Sequence, residues 1–163
     1  MSAGANLGWN VWEGSFRFIG RQAVSTEAPR SDPKMTYPIV EWDQLDPILL
    51  PNNSSSSVGA LVYRSNRVPQ LTNRLLFGDM PAGELFHVSA DDLPKGGQDA
   101  IRRVLFVTSP GAAPRTFLEI IQEKNRAQGK NPASRADLRF DANAAGQIFL
   151  LNKADGTLRV IEK

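Results

Sequence analysis

Short apolar runs separated by turn-forming residues are the main pattern in the middle of the chain. They cover residues 58–64, 74–77, 84–89 and 100–108, and the second and third runs flank a turn rich in Gly, Pro and Asp. Runs of this length that contain many β-branched and aromatic residues predict strands, and the turns between them predict antiparallel pairing. The sequence therefore predicts one four-stranded antiparallel sheet over residues 58–108.

The end of the chain repeats this strand pattern. Apolar runs cover residues 137–140, 147–151 and 157–161. Asp155 and Gly156 separate the last two runs, and an Asp-Gly pair favours the type I′ turn of a tight hairpin because both residues accept positive φ. Residues 135–163 are therefore predicted to form a second antiparallel sheet.

A helical signature interrupts the strands over residues 116–129. Thr116 is followed three residues later by Glu119, and this capping box marks a helix N-terminus. Gly129 supplies a stop, because glycine adopts the left-handed conformation that ends many helices. The apolar face of this helix consists of Phe117, Ile120 and Ile121. We expect a helix near residues 117–128, inserted between the strands and packed on the rim of the β structure.

Two less regular segments precede the strands. Residues 1–24 contain several glycines together with Trp9 and Trp12, a composition that suits a tight loop with indoles packed over it. Residues 25–57 contain five prolines and end in four serines. This composition predicts an irregular connection, with one short strand at residues 37–42.

Composition places the chain among ordinary globular proteins. It has 163 residues, of which 41% are hydrophobic and 22% charged, so an all-β domain over residues 1–163 is long enough to bury a core. The net charge of +2 is spread without a basic stripe, which argues against a nucleic-acid partner. The sequence has no cysteine, no apolar run long enough to span a bilayer and no signal-peptide pattern.

Four segments resemble, in a shared order, motifs of a single family. The Gly-Ala-Asn-Leu-Gly-Trp sequence at residues 4–9 is similar to a Gly-x-Asn-Tyr-Gly-Trp loop, and residues 58–64 resemble a Gly-Gly-x-Val-Tyr-Arg strand. Residues 74–85 resemble a Phe-Gly-Asp hairpin, and residues 135–156 resemble a closing Arg-x-Asp and Asp-Gly hairpin. These motifs belong to the C-terminal third of the glucose/sorbosone dehydrogenase-like β-propellers.

The resemblance implies a six-bladed propeller, of which this chain would supply about two blades. A spacing of about fifty residues across the first predicted sheet is near the period of a propeller blade. Enzymatic members of the family oxidise sugars with pyrroloquinoline quinone (PQQ) and calcium, and a His serves as their general base. That base and most calcium ligands lie upstream of the matched segments.

The site expected from the resemblance is small. Met80-Pro81-Ala82 stands where PQQ-binding members place basic residues near the hairpin turn. Arg135 alone matches a position at which the family supplies a cofactor-facing arginine. Arg135 is therefore the one predicted cofactor-binding residue, and no catalytic or metal-binding residue is predicted.

Two functions remain open from the sequence. The first is that of a C-terminal segment of a PQQ-dependent sugar dehydrogenase-like propeller, inactive in isolation and binding neither PQQ nor calcium alone. The second is a non-catalytic propeller module that binds carbohydrate or a protein partner. In both, the expected partner is the rest of the propeller or copies of the same chain, and the resemblance implies a periplasmic or secreted protein.

Several other polar residues are interpreted as structural. His87, the only histidine, lies in a predicted strand and is expected to be a structural or surface residue. Asp79 is expected to accept hydrogen bonds from amides of its own turn. Asp91 and Asp92 offer too few oxygens for calcium and are predicted to form a solvated turn.

Arg135, Asp137 and Arg139 alternate at the start of the closing sheet. In a strand this alternation places all three on one face, opposite Leu138 and Phe140. The sequence predicts a salt-bridge ladder along that face, and an anion-facing role for Arg135 is the alternative.

Overall fold

A computed structural model describes residues 4–20, 23–44, 46 and 55–163. It is mostly β, with three antiparallel sheets and one α-helix in the described part of the chain. The described residues form two compact units, one drawn from Met1–Trp42 and Pro94–Ala100, the other from Asp43–Leu93 and Ile101–Lys163. The predicted all-β class is therefore confirmed, whereas parts of the predicted segments 1–24 and 25–57 lie outside the described residues.

The first unit contains a small sheet that the sequence did not predict. Its strands are β1 (Trp12–Glu13), β2 (Phe16–Gly20) and β3 (Ala23–Ser25), paired in chain order. Trp12 is buried and meets the Tyr37 ring edge-on, with ring centroids 5.4 Å apart. Only one of the two indoles is covered as expected, since Trp9 is 74% exposed.

The predicted strand at residues 37–42 is wrong, because the structure forms no strand there. Two backbone hydrogen bonds to residues 96–97, at 2.9 Å and 3.1 Å, and several side-chain contacts hold this segment. The Glu41 carboxylate accepts hydrogen bonds from the Ser15 amide at 2.6 Å and from the Ser15 hydroxyl at 2.5 Å. Arg30 donates to the carbonyl oxygens of Pro38, at 2.6 Å, and Lys95. Pro38 also has no amide hydrogen to donate to a ladder.

The second unit begins with a four-stranded sheet in chain order. Its strands are β4 (Ser57–Tyr63), β5 (Arg74–Asp79), β6 (Glu84–Ser89) and β7 (Arg102–Arg103). A bulge interrupts β4 at Gly59, which has φ +60°, and a Cβ there would lie 2.8 Å from the Phe140 ring. The predicted four-stranded antiparallel sheet is confirmed, with the bounds of β6 as predicted.

The last strand of this sheet is much shorter than the predicted run at 100–108. Only Arg102–Arg103 pairs with β6 as a strand. Val104 still donates its amide to the Leu85 carbonyl, at 2.8 Å, and Phe106 forms an isolated bridge with Arg115. The segment therefore leaves the sheet after two paired residues and turns towards the helix.

Helix α1 spans Phe117–Ala127 and begins at the predicted capping box. The Glu119 amide donates to the Thr116 hydroxyl at 3.3 Å, and the Thr116 amide donates to the Glu119 carboxylate at 2.7 Å. Gly129 follows the helix with φ +68°, as expected of a stop. The buried apolar residues of the helix are Phe117, Leu118 and Ile121. The predicted face is thus correct at Phe117 and Ile121, whereas Ile120 is only half-buried and Leu118 is buried instead.

A three-stranded sheet closes the second unit, in the spatial order β10-β9-β8. Its strands are β8 (Leu138–Ala142), β9 (Ile148–Asn152) and β10 (Leu158–Ile161). Five residues join β9 to β10, and Gly156 has positive φ (+63°) while Asp155 does not. The predicted closing sheet is confirmed, but the predicted type I′ turn is wrong.

The apolar core of the second unit lies between its two sheets and helix α1. One cluster of buried side chains joins Leu85 of β6 to Phe117 and Ile121 of α1 and to Leu138 and Leu150 of the closing sheet. A second cluster lies around the short 3-10 helix Pro69–Leu71 and comprises Tyr63, Val68, Leu71, Leu76 and Ile148. Both sheets thus bury one face in a shared core.

Candidate functional site

Arg135, the predicted cofactor-binding residue, lies beside the turn between β5 and β6. The Ala136 amide donates to the Pro81 carbonyl at 2.8 Å, and the Leu138 amide donates to the Met80 carbonyl at 2.9 Å. These two hydrogen bonds fix the chain segment that carries Arg135 against the hairpin turn. The structure therefore brings together two of the segments on which the family resemblance rests.

Arg135 forms an ion pair with Asp137. Its Nε and Nη2 atoms lie 2.9 Å and 2.8 Å from the Asp137 Oδ1 atom, and 52% of the Arg135 side chain is exposed. Strand β8 begins only at Leu138, because Asp137 has φ +53°. The predicted pairing is confirmed, but the three charged residues do not alternate along one strand, since Arg135 and Asp137 precede it.

An open cavity of about 560 Å³ adjoins this ion pair. It is lined by Met80, Arg135, Asp137, Arg139, Leu151, Asn152 and Lys153. Three of these residues are cationic at neutral pH and one is anionic, so the lining carries an excess of positive charge. The charge of the lining therefore favours an anion over a metal cation at this cavity.

The cations of the cavity come from three different places in the fold. Arg135 precedes β8, Arg139 lies on the outward face of β8, and Lys153 follows β9 directly. Leu151 is the cross-strand partner of Arg139 and is 48% exposed. An apolar side chain thus lies beside a guanidinium group on the surface of the sheet.

His87 lies on β6, away from this cavity, and is half-buried. Its cross-strand partners are Leu76 and Arg102. Burial lowers the pKa of His87, and the positive charges of Arg74 and Arg102 lower it further. The lowered pKa makes the neutral imidazole the main form at pH 7, and the His87 Nδ1 atom has no hydrogen-bond partner among the residues that the structure describes.

Asp79 is fully buried and bonds backbone amides. One carboxylate oxygen accepts from the Ala82 amide of its own turn at 2.9 Å, as predicted. The other accepts from the Ser56 amide at 2.7 Å, a contact that the sequence did not predict. Asp79 therefore holds the β5–β6 turn to the residue that precedes β4.

Asp91 and Asp92 are exposed, as predicted for a solvated turn. Asp91 pairs with Arg64 at 3.0 Å, and both side chains are more than half exposed. Among the residues that the structure describes, no group of three or more His, Cys, Asp or Glu residues is arranged to hold a metal ion.

Two polar arrangements in the second unit went unrecognised in the sequence. Glu84 is buried and pairs with Arg103 at 2.8 Å, a contact between different strands that no local pattern indicates. Asp155 accepts hydrogen bonds from Arg159, Asn152 and Thr157. The Asp-Gly signal located this turn, yet it did not reveal that the Asp155 carboxylate organises it.

No protein-family model, no curated protein and no solved structure matches the chain. In the part of the chain that the structure describes, no helix has the length and apolar character needed to cross a membrane.

Proposed function

We propose that this chain is the C-terminal segment of a PQQ-dependent sugar dehydrogenase-like β-propeller, without sugar-oxidising activity of its own. The observation that carries this proposal is the contact between the β5–β6 turn and the Arg135 segment. In the family that the chain resembles, both segments lie near the cofactor. In this chain, two backbone hydrogen bonds join them. The consecutive antiparallel meanders β4–β7, with four strands, and β8–β10, with three, are also compatible with one four-stranded blade followed by most of a second.

The cavity residues suit the carboxylates of PQQ better than they suit the calcium ion used by the family. The cofactor carries carboxylates, and exposed arginine and lysine side chains are suitable donors to them. Calcium, in contrast, needs six to eight oxygen ligands. Asp137 is the one carboxylate that lines the cavity, and its Oδ1 atom already accepts from Arg135. The cavity therefore suits the carboxylates of PQQ but not the calcium ion.

When bound, PQQ would supply the acceptor for the electrons of the sugar. In this chain, Arg135 would bind and orient a carboxylate of the cofactor at the edge of the cavity. The cavity lining holds no histidine, and the histidine on β6 is a neutral residue of that sheet. The general base and the calcium site would then come from blades that precede this segment, in a periplasmic or secreted protein.

Exposed apolar side chains support a partner that completes the propeller. On the outer face of the closing sheet, Leu151, Leu158 and Val160 are between 38% and 59% exposed. Leu158 and Val160 belong to β10, the outermost strand of that sheet. Apolar surface next to a sheet edge favours association, here with the rest of the propeller or with further copies of the chain.

A second candidate function is a non-catalytic module that binds carbohydrate or a protein partner. The observation that favours it is the Arg135–Asp137 ion pair, in which two donors of Arg135 already contact a carboxylate. An arginine held in this way has fewer donors left for a cofactor.

Dye reduction tests the proposal. The 163-residue chain, mixed with PQQ, calcium and a panel of sugars, should show no turnover above a blank without protein. The same assay on the complete polypeptide encoded by the gene should show PQQ-dependent turnover. Turnover by the chain alone would contradict the proposal, and the absence of PQQ binding by the complete polypeptide would favour the second candidate.

A further inference from the structure

We propose that a groove between strands β4 and β8 binds a free α-amino acid with an apolar side chain. In this assignment, Asp141 contacts the ammonium group of the ligand, Arg64 its carboxylate and Val62 its side chain. The inference goes beyond the proposed function, because the groove shares no lining residue with the cavity that contains Arg135 and requires neither PQQ nor further blades.

The groove lies where the two sheets of the second unit meet. Strand β4 is at one edge of the four-stranded sheet and β8 is at one edge of the closing sheet, and the two edge strands contact each other. The end of β4 and the two residues after it contribute residues 61–65 to the lining. The end of β8 and the turn that follows contribute residues 141–144 and 146. The edge strands thus leave a space of about 290 Å³ between them.

Two opposite charges line this groove, and each retains capacity for a ligand. Arg64 uses its Nη1 atom for both of its side-chain contacts, at 2.9 Å to Asn73 and 3.0 Å to Asp91. The Nε and Nη2 atoms of Arg64 therefore keep donors for a carboxylate. Asp141 accepts a hydrogen bond from the Ala142 amide at 2.7 Å and forms no ion pair with any residue that the structure describes. A ligand with one positive and one negative charge matches both groups.

The groove also offers a small apolar surface. Val62 is 45% exposed, and Ala142 and Ala144 add short apolar side chains to the lining. The volume of about 290 Å³ lies just below the roughly 300–1,000 Å³ of sites for drug-sized ligands, so it suits a ligand of amino-acid size. An aliphatic side chain placed on Val62 would remove apolar surface from water. A neutral sugar would form weaker hydrogen bonds with the two charged groups than a zwitterion does.

Ligand titration followed by amide NMR tests the inference on the 163-residue chain. L-Leucine should shift the amide resonances of residues 62–65 and 141–144, with saturation in the millimolar range because both charged contacts are exposed. N-acetyl-leucine lacks the positive charge and leucinamide lacks the negative one, so each should bind at least roughly fivefold more weakly. Equal affinities of the three compounds, or tighter binding of D-glucose, would overturn the assigned ligand class. The absence of a saturable shift at these residues would overturn the site.

Matched substitutions measure the contribution of each charge. Asp141→Asn should weaken L-leucine binding roughly fivefold but should not weaken the binding of N-acetyl-leucine, because only the ammonium group contacts Asp141. Arg64→Gln should likewise weaken the binding of L-leucine but not that of leucinamide. The control is Asp92→Asn, since Asp92 is exposed and does not line the groove.

An equal loss of L-leucine affinity in Asp141→Asn and in the Asp92→Asn control would contradict the inference. Thermal melts establish that each variant is folded. Arg64→Gln also removes the ion pair with Asp91. If that variant is unfolded, the comparison of Asp141→Asn with its control decides the outcome.

Discussion

Glu84 on β6 and Arg103 on β7 form an ion pair of 2.8 Å in which only 3% of the Glu84 side chain is exposed. Burial raises the pKa of Glu84 to about 7, against the lowering effect of Arg103, and the carboxylates of Asp79 and Glu119 raise it further. The pair therefore holds a carboxyl group that changes its charge near neutral pH.

This pair predicts a specific pH dependence of stability. Because the pKa of Glu84 is higher in the folded than in the unfolded chain, the folded chain binds more protons between pH 4.5 and about 7. The Glu84 contribution to the free energy of unfolding therefore falls as pH rises through this window, by up to about 3 kcal/mol. Urea denaturation at pH 5 and pH 8 should show that Glu84→Gln removes this contribution.

The unmodified chain must be compared with Glu84→Gln, because His87 changes the free energy of unfolding with pH in the opposite direction. Its lowered pKa makes stability rise with pH in the region just below 6.5. A matched control is Glu123→Gln, since Glu123 is exposed and pairs with Arg115. If Glu84→Gln and Glu123→Gln change the difference between pH 5 and pH 8 equally, the buried pair is not the cause.

Asp155 predicts a second pH effect, at lower pH. Burial alone would raise the pKa of Asp155, but hydrogen bonds from Arg159, Asn152 and Thr157, together with the Arg159 charge, hold it well below its usual range. Its stabilising effect is therefore present above the unfolded pKa of 3.8 and is lost as pH falls further. Asp155→Asn should lower the free energy of unfolding by roughly 2 kcal/mol at pH 6.

Asp92→Asn provides the control for Asp155→Asn, because Asp92 is exposed. It should change stability by less than about 0.5 kcal/mol. The difference between Asp155→Asn and the unmodified chain should also shrink from pH 6 to pH 2. A difference that stays constant over this range would show that the Asp155 carboxylate does not stabilise the turn through its charge.

Gly156 tests the backbone of the closing hairpin. With φ +63°, it occupies a conformation that a β-branched residue adopts only with strain. No atom lies within 4 Å of a Cβ built at this position, so the cost of Gly156→Val is conformational rather than steric. We expect a loss of more than about 1 kcal/mol in chemical denaturation.

The control for Gly156→Val is Lys130→Ala, an exposed residue after α1. Lys124 is less suitable, because it donates to Thr157 and lies 3.6 Å from Asp155 in the same turn. Equal stability of Gly156→Val and Lys130→Ala would contradict the assigned turn conformation.

The exposed apolar face of the closing sheet predicts self-association. Leu158 is 59% exposed on the outermost strand, so light scattering should detect species larger than the monomer. Leu158→Lys should reduce their amount, whereas Leu93→Lys, at a site 44% exposed in a loop, should not. A chain that stays monomeric at all concentrations would contradict this prediction.

Local patterns predicted the regular parts of the second unit. Strand β6 and the start of α1 follow from nearby residues alone, the first from β-forming residues between turns and the second from Thr116 and Glu119. Strands β1, β3 and β7 have only two or three residues, too few for a recognisable period, and β2 lies among glycines that predict a loop. Their existence depends on contacts formed elsewhere in the fold.

The candidate site was only partly predictable for the same reason. Arg135 was singled out from its motif, and its pairing with Asp137 follows from their closeness in sequence. The sequence did not reveal that Met80, Leu151 and Lys153 share a cavity with Arg135, because Met80 lies in the β5–β6 turn whereas Leu151 and Lys153 lie at the end of β9. Nor could it place Glu84 beside Arg103, since that contact depends on strand register.

Titration of PQQ against the complete encoded polypeptide and its Arg135→Ala variant tests the central claim most directly. If Arg135 faces the cofactor, the substitution should weaken PQQ binding by about 1.5–3 kcal/mol, the range for charged hydrogen bonds. Stability should change by about 1 kcal/mol or less, because the ion pair with Asp137 is half-exposed. Unchanged PQQ affinity in the variant, or no PQQ binding by the unmodified polypeptide, would contradict the proposed function.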